Sequence, residues 1–199
     1  MRWDNLFDDL ESQLEQGLTA EEEDLHAEEE RLRLGRLTLR ERIVSVRDSY
    51  GRDGDYALRF QLTSGEVVPV RPTTIGRDWL SGDIRDGSRA AHQCILPFSA
   101  ICGMSATAEQ VRRSLGSAEV SAEVALVARL GIPFVLRDLC RRRTAVEIRT
   151  SVATAFGTID RVGRDHFDLA IHEPGQPRRQ RAVTEYRLVT VAQLAMVRL

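Results

Sequence analysis

Apolar positions along this 199-residue chain change period several times. Trp3, Leu6, Phe7, Leu10 and Leu14 recur at helical spacing with Asp and Glu between them, which predicts a short amphipathic acidic helix over 3–16. Gly17 ends it, and Thr19 with Glu22 makes a capping box for a second helix over 19–33. Leu18, Leu25 and Leu32 are the only apolar seam of that second helix. A stripe so thin predicts a helical hairpin that needs a partner, either its own body or another protein.

A basic connector, Gly35 to Arg42, follows. The pattern then shifts to period two. Runs at Ile43–Val46, Tyr56–Leu62, Glu66–Ile75, Trp79–Ile84 and Cys94–Ile101 predict five short strands. Turn clusters at Gly51, Asp53-Gly54, Ser64-Gly65 and Asp86-Gly87 separate them. Pro97 marks a one-turn 3₁₀ helix or a strand edge. Ser105 to Leu115 predicts one or two helical turns. A helix over 118–143 is broken or kinked at Gly131-Ile132-Pro133 and ends on Arg141, Arg142 and Arg143. Those three cations either complement the helix dipole or form a phosphate-binding patch. Strands resume at Ala145–Arg149, Ala155–Val162, Phe167–Ile171, Val183–Thr190 and Ala195–Leu199, with Val191–Leu194 as a short closing turn.

The two strand-rich segments repeat each other. Ile75-Gly76-Arg77-Asp78-Trp79 lines up with Val162-Gly163-Arg164-Asp165-His166 at an offset of 87 (162 − 75). Each reads as a strand, a tight Gly-x-Asp turn and a second strand. The second copy carries a loop six residues longer, 25 residues from Asp165 to Thr190 against 19 from Asp78 to Pro97. The fold class expected is α+β and β-rich: two tandem small SH3-like barrels joined by a helix and preceded by an acidic helical hairpin. The boundaries read as an acidic arm over 1–36, a first barrel over 37–104, a linker and helix over 105–143, and a second barrel over 144–199.

Gly157, Asp165, Phe167, Asp168 and Leu169 resemble the first signature of Sm-like proteins, with Asp168 where that family usually has Asn. Leu188 to Val197 resembles the family's closing segment. The resemblance covers Phe134 to Leu199 and, more weakly, Leu39 to Met104. It implies a helix ahead of each barrel, a ring-forming homo-oligomer and binding of single-stranded RNA. It places Arg77 with Trp79, and Arg164 with His166, as phosphate and base contacts at the two turns, and Arg178, Arg179 and Arg181 as a phosphate clamp or a solvated hairpin. Each of these positions also has a plain structural reading: Trp79 packs into its barrel, His166 is a solvated strand residue, and Asp78 and Asp165 cap their own turns.

Composition adds less. All 28 basic residues are Arg, a bias that a GC-rich genome of actinobacterial type would give; guanidinium suits phosphate and carboxylate whatever its origin. The net charge of −2 hides a division. Residues 1–33 hold three Arg against four Asp and eight Glu, so they carry −9 and the remainder +7. Cys94, Cys102 and Cys140 have no Cys-x-x-Cys spacing and read as buried free thiols in a reducing, cytoplasmic setting. No apolar run approaches the roughly 20 residues of a membrane span. The four His lie apart, and neither a Gly-rich phosphate loop nor a nucleophile elbow occurs.

The expectation is therefore a non-enzymatic, RNA-preferring module without cofactor or metal. The alternative is an adaptor that docks a protein partner through residues 1–33, with Trp3, Leu6, Phe7 and Leu10 as anchors. A third reading has the acidic arm occupying the basic body.

Overall fold

The computed structural model describes residues 24–51, 54–88, 92–116, 126–175 and 179–199. The chain divides into two compact units, 1–39 and 40–199. In the first, residues 24–36 form helix α1, which runs three residues past the helix expected over 19–33 and into the start of the expected connector. Its surface is laced by i,i+3 pairs such as Glu30 with Arg33 at 2.6 Å, and Leu25 and Leu32 stand exposed. Such exposed pairs add little to a helix's stability. The helix expected over 3–16, with Trp3, Leu6, Phe7 and Leu10, lies outside the described residues.

The second unit begins within α2 (Leu39–Tyr50). Five strands follow: β1 (Leu58–Leu62), β2 (Val67–Ile75), β3 (Trp79–Ile84), β4 (His92–Pro97) and β5 (Ile101–Ser105). Two short helices come next, α3 (Ala108–Ser114) and α4 (Ile132–Arg142). Five more strands complete the chain: β6 (Ala145–Thr150), β7 (Thr154–Val162), β8 (His166–Ile171), β9 (Glu185–Thr190) and β10 (Leu194–Arg198). All ten join one antiparallel sheet in the order β5-β1-β2-β3-β4-β10-β6-β7-β8-β9, which does not close.

That order is one five-strand arrangement written twice. Ladder registers agree residue for residue. Leu58 opposes Val70 as Val146 opposes Gly157, and Trp79 opposes Pro97 as His166 opposes Thr190. Even the irregularity recurs, between Pro72 and Thr74 in one half and between Ile159 and Arg161 in the other. A 3₁₀ turn, Phe98–Ala100 or Val191–Gln193, precedes the last strand of each half.

Each half has its own core, and the two interlock. Ile43 and Val46 of α2 pack with Leu58, Phe60, Val70, Leu80 and Leu96, and this cluster takes in Met196 of β10. Leu136 and Leu139 of α4 pack with Ile148, Ile159, Phe167 and Leu169, and that cluster takes in Trp79 and Ile95 of the first half. Burying a large apolar side chain contributes ~1.5–3 kcal/mol, so these exchanged residues make the joint a continuation of both cores. Arg149 of β6 adds a polar clasp, pairing with Glu66 at 2.5 Å and Glu147 at 2.6 Å. Burial works against the Arg149 charge, and the hydrogen bonds it donates to those two carboxylates more than offset it, so its pKa lies above the ordinary value.

Several expectations need correction. Ile43–Val46 is not a strand but the middle of α2, where Ile43, Val46 and Tyr50 form a helical stripe on the first core. The connector read at Gly35–Arg42 is shortened accordingly, because α2 already starts at Leu39. The fifth strand of the first half is Ile101–Ser105, after the 3₁₀ turn that Pro97 opens. The second-half helix begins at Ile132, with Gly131 as its N-cap and Pro133 in its first turn; 117–125 lie outside the described residues. Arg141 and Arg142 bond Asp138, and Arg143, left-handed at φ 55°, bonds Asp160, so all three end-of-helix cations have carboxylate partners. Cys94 is buried, its thiol pushed up to about 12 mainly by that burial, whereas Cys102 is exposed.

Candidate nucleic-acid interface

The Gly-x-Asp turns are built alike. Gly76 N–H donates to the Trp79 carbonyl at 2.8 Å, and Gly163 N–H to the His166 carbonyl at 2.8 Å. The Asp78 carbonyl accepts from Phe98 N–H at 3.0 Å and the Asp165 carbonyl from Val191 N–H at 2.8 Å, which ties each turn to the following 3₁₀ segment. In both, the ring three residues on lies against the glycine. A Cβ on Gly76 would fall 2.1 Å from Trp79 Nε1, and one on Gly163 would fall 2.8 Å from His166 Cε1.

They differ in what covers them. The linker ahead of α4 saddles the first turn. Leu130 carbonyl accepts from both Trp79 Nε1 (2.9 Å) and Arg77 N–H (3.0 Å). Asp78 Oδ1 accepts from Ile132 N–H at 2.7 Å, so this carboxylate caps α4 rather than its own turn. Trp79 is 5% exposed and presents no ring face. The stacking role read for it from sequence passes to packing. Arg77 remains exposed and pairs with Asp78 at 3.4 Å.

No described segment covers the second turn. Arg164 is exposed and has no ion-pair partner among the described residues. The His166 side chain is 44% exposed, with Nδ1 2.9 Å from Asp165 Oδ1. That hydrogen bond holds the Asp165 carboxyl below the ordinary carboxylate range. Arg137 of α4 reaches the Gly163 carbonyl at 3.5 Å, which brings a further guanidinium to the turn. Arg161, at the same hairpin end, is exposed and only loosely paired with Asp168 at 3.9 Å. Helix, strand and turn thus bring three arginines and one imidazole together at one end of the β7–β8 hairpin. Such a set suits phosphate or carboxylate oxygens and offers a ring for stacking.

Arg179 and Arg181 are exposed but stand elsewhere, in the loop after β8, while Arg178 lies outside the described residues. β8 separates that loop from His166 by five residue steps, roughly 17 Å at ~3.3 Å per residue. The structure therefore splits the arginines into a turn group and a loop group. Arg137 and Arg161 were not picked out from the sequence. Arg161 stands two residues before Gly163 where the first copy has Thr74, a difference visible in the alignment. Arg137 gives no such signal, because only the docking of α4 brings it in.

His172 is buried between Thr158 Oγ1 (2.9 Å) and the Glu173 carbonyl (3.1 Å), a satisfied core histidine. Among the described residues no group of three or more His, Cys, Asp or Glu could hold a metal ion. No described helix is long and apolar enough to cross a membrane. The chain matches no family model, no curated protein and no solved structure.

Proposed function

We propose that the second unit is a pair of tandem Sm-like barrels, and that the open turn of the later one binds single-stranded nucleic acid, RNA in preference, without catalysis. The barrel reading is supported by the repeated layout: a helix, five antiparallel strands and a short turn before the last. The binding reading is carried by one observation, the placement of Arg137, Arg161, Arg164 and His166 at one hairpin end that nothing described covers. Arginine holds phosphates there while the imidazole stacks on a base.

The test is fluorescence anisotropy with a labelled oligouridylate across a salt series, with the matching DNA and duplex RNA as competitors. Each phosphate contact contributes a slope of about −0.7 in log K against log salt for a single strand. Joint replacement of Arg137, Arg161 and Arg164 by Ala should flatten that slope by about two and weaken binding at least ten-fold. Wild-type binding that is absent, or unchanged in the triple variant, would refute the reading.

A second reading, an adaptor, draws on Leu25 and Leu32, both exposed on α1. Removing residues 1–36 should then abolish capture of a protein partner while leaving oligouridylate affinity intact.

A further inference from the structure

Phe134 of α4 is a large aromatic side chain that neither core takes in. It is 53% exposed, while Ile132, Leu136 and Leu139 of the same helix are buried in the second core. Setting Leu136 and Leu139 on the buried α2 pair Ile43 and Val46 puts exposed Glu41 at the position of Phe134. A polar residue is what an outward helix position ordinarily holds. Among the described residues no ring or guanidinium lies over Phe134. A single exposed apolar residue is common; what distinguishes this one is the charge on either side of it.

α4 bridges the two turns. At its start Asp78 Oδ1 accepts from Ile132 N–H, and the Arg77 guanidinium lies so close to Gly131 that a Cβ there would fall 2.6 Å from it. Phe134 N–H donates to the Gly131 carbonyl at 3.0 Å, and a helical side chain leans back over the turn before it, here toward Arg77. Arg137 is three residues further on, a neighbour on the same face, and reaches the Gly163 carbonyl at 3.5 Å. The order along the surface is therefore Arg77, Phe134, Arg137, then Arg164 and His166. From Ile132 to Arg137 the helix rises ~7.5 Å, about two steps of a stacked strand at ~3.4 Å each. The carboxylates along this line are engaged: Asp78 by Ile132 N–H and Arg77, Asp138 by Arg141 and Arg142, and Asp165 by His166.

We propose that a single strand held at the second turn runs on along α4, with a further base stacked on the Phe134 ring and the phosphate beyond it held by Arg77. Cations on both sides of an exposed ring suit such a strand: the charges follow its backbone and the ring face takes a base. Stacking accepts any base, so this segment adds affinity without sequence preference. Trp79 is buried and cannot serve as the ring beside Arg77; Phe134, one helical turn past Gly131, takes that place. The first half thereby contributes a cation to the site of the second, and the two turns serve one strand. This inference rests on the nucleic-acid reading of the second turn and adds to it a residue, a direction and a second base.

The full-length chain tests it, by anisotropy with a labelled oligouridylate and with a ribose-phosphate chain of equal length that carries no bases. Phe134→Ala should weaken oligouridylate binding about five-fold or more, the low end of what one stacked base contributes, and leave binding of the baseless chain unchanged. Phe134→Trp should restore the oligouridylate. Arg77→Gln should flatten the salt slope by about 0.7 with both chains, and Arg77→Lys should return it. Both side chains are exposed, so the urea midpoint of each variant should match wild type. Oligouridylate affinity unchanged in Phe134→Ala, or a loss equal for the two chains, would overturn the inference. Where joint replacement of Arg137, Arg161 and Arg164 still weakens binding, that result leaves the second-turn site standing. A wild type that binds no oligouridylate would overturn both.

Discussion

The two Gly-Arg-Asp-ring turns share backbone, register and all but one side chain of the motif, yet one is a buried brace and the other a surface. The difference comes from the neighbours. Around Trp79 the linker supplies the Leu130 carbonyl and the Ile132 N–H, and an indole with one donor is satisfied there. Around His166 no described segment makes those contacts, and the ring turns to its own Asp165. A repeated motif thus fixes a local shape, while exposure is decided by what the chain lays over it.

Substitutions at equivalent positions should break the symmetry unequally. Trp79→Ala should have the largest effect. It empties a buried site in the second core and removes one of the two hydrogen bonds that the Leu130 carbonyl accepts, costing about 3–5 kcal/mol in urea unfolding; His166→Ala should cost under about 0.5 kcal/mol. Gly76→Ala comes next. Its Cβ meets an enclosed indole, so about 1–3 kcal/mol is expected, whereas Gly163→Ala meets an imidazole that can swing into solvent and should be nearly silent. Asp78→Ala removes the acceptor from Ile132 N–H and should cost about 1 kcal/mol, with Asp165→Ala well below it. The smallest effect is that of pH. The folded-state pKa of Asp165 is lowered, so its contribution is present above the unfolded value and is lost as pH falls through the folded value, below about 3.9. Acid unfolding of Asp165→Asn should lack that component, and a wild type with no difference from the variant would remove it.

The strands were readable where alternation and glycine turns coincide, as at Trp79–Ile84, whose bounds agree with β3. α2 was not, because Ile43, Val44 and Val46 are β-branched and their local preference is worth at most ~1 kcal/mol, less than the burial of a stripe that also includes Tyr50. β5 was within reach: once Val191–Leu194 was matched to Phe98–Ile101, the strand after one implied a strand after the other. At the turns, the repeat found the residues but not their exposure, since Leu130 is 51 positions from Trp79 and only the fold brings them together.

The lid on the first turn is part of the same polypeptide, held by three hydrogen bonds from residues 130 and 132. A tethered lid acts at a local concentration that no free molecule reaches, so dilution and competition leave it shut. On the proposed binding reading, doubling the strand pattern does not double the number of ports, and titration with any ligand of these turns should saturate at one per chain.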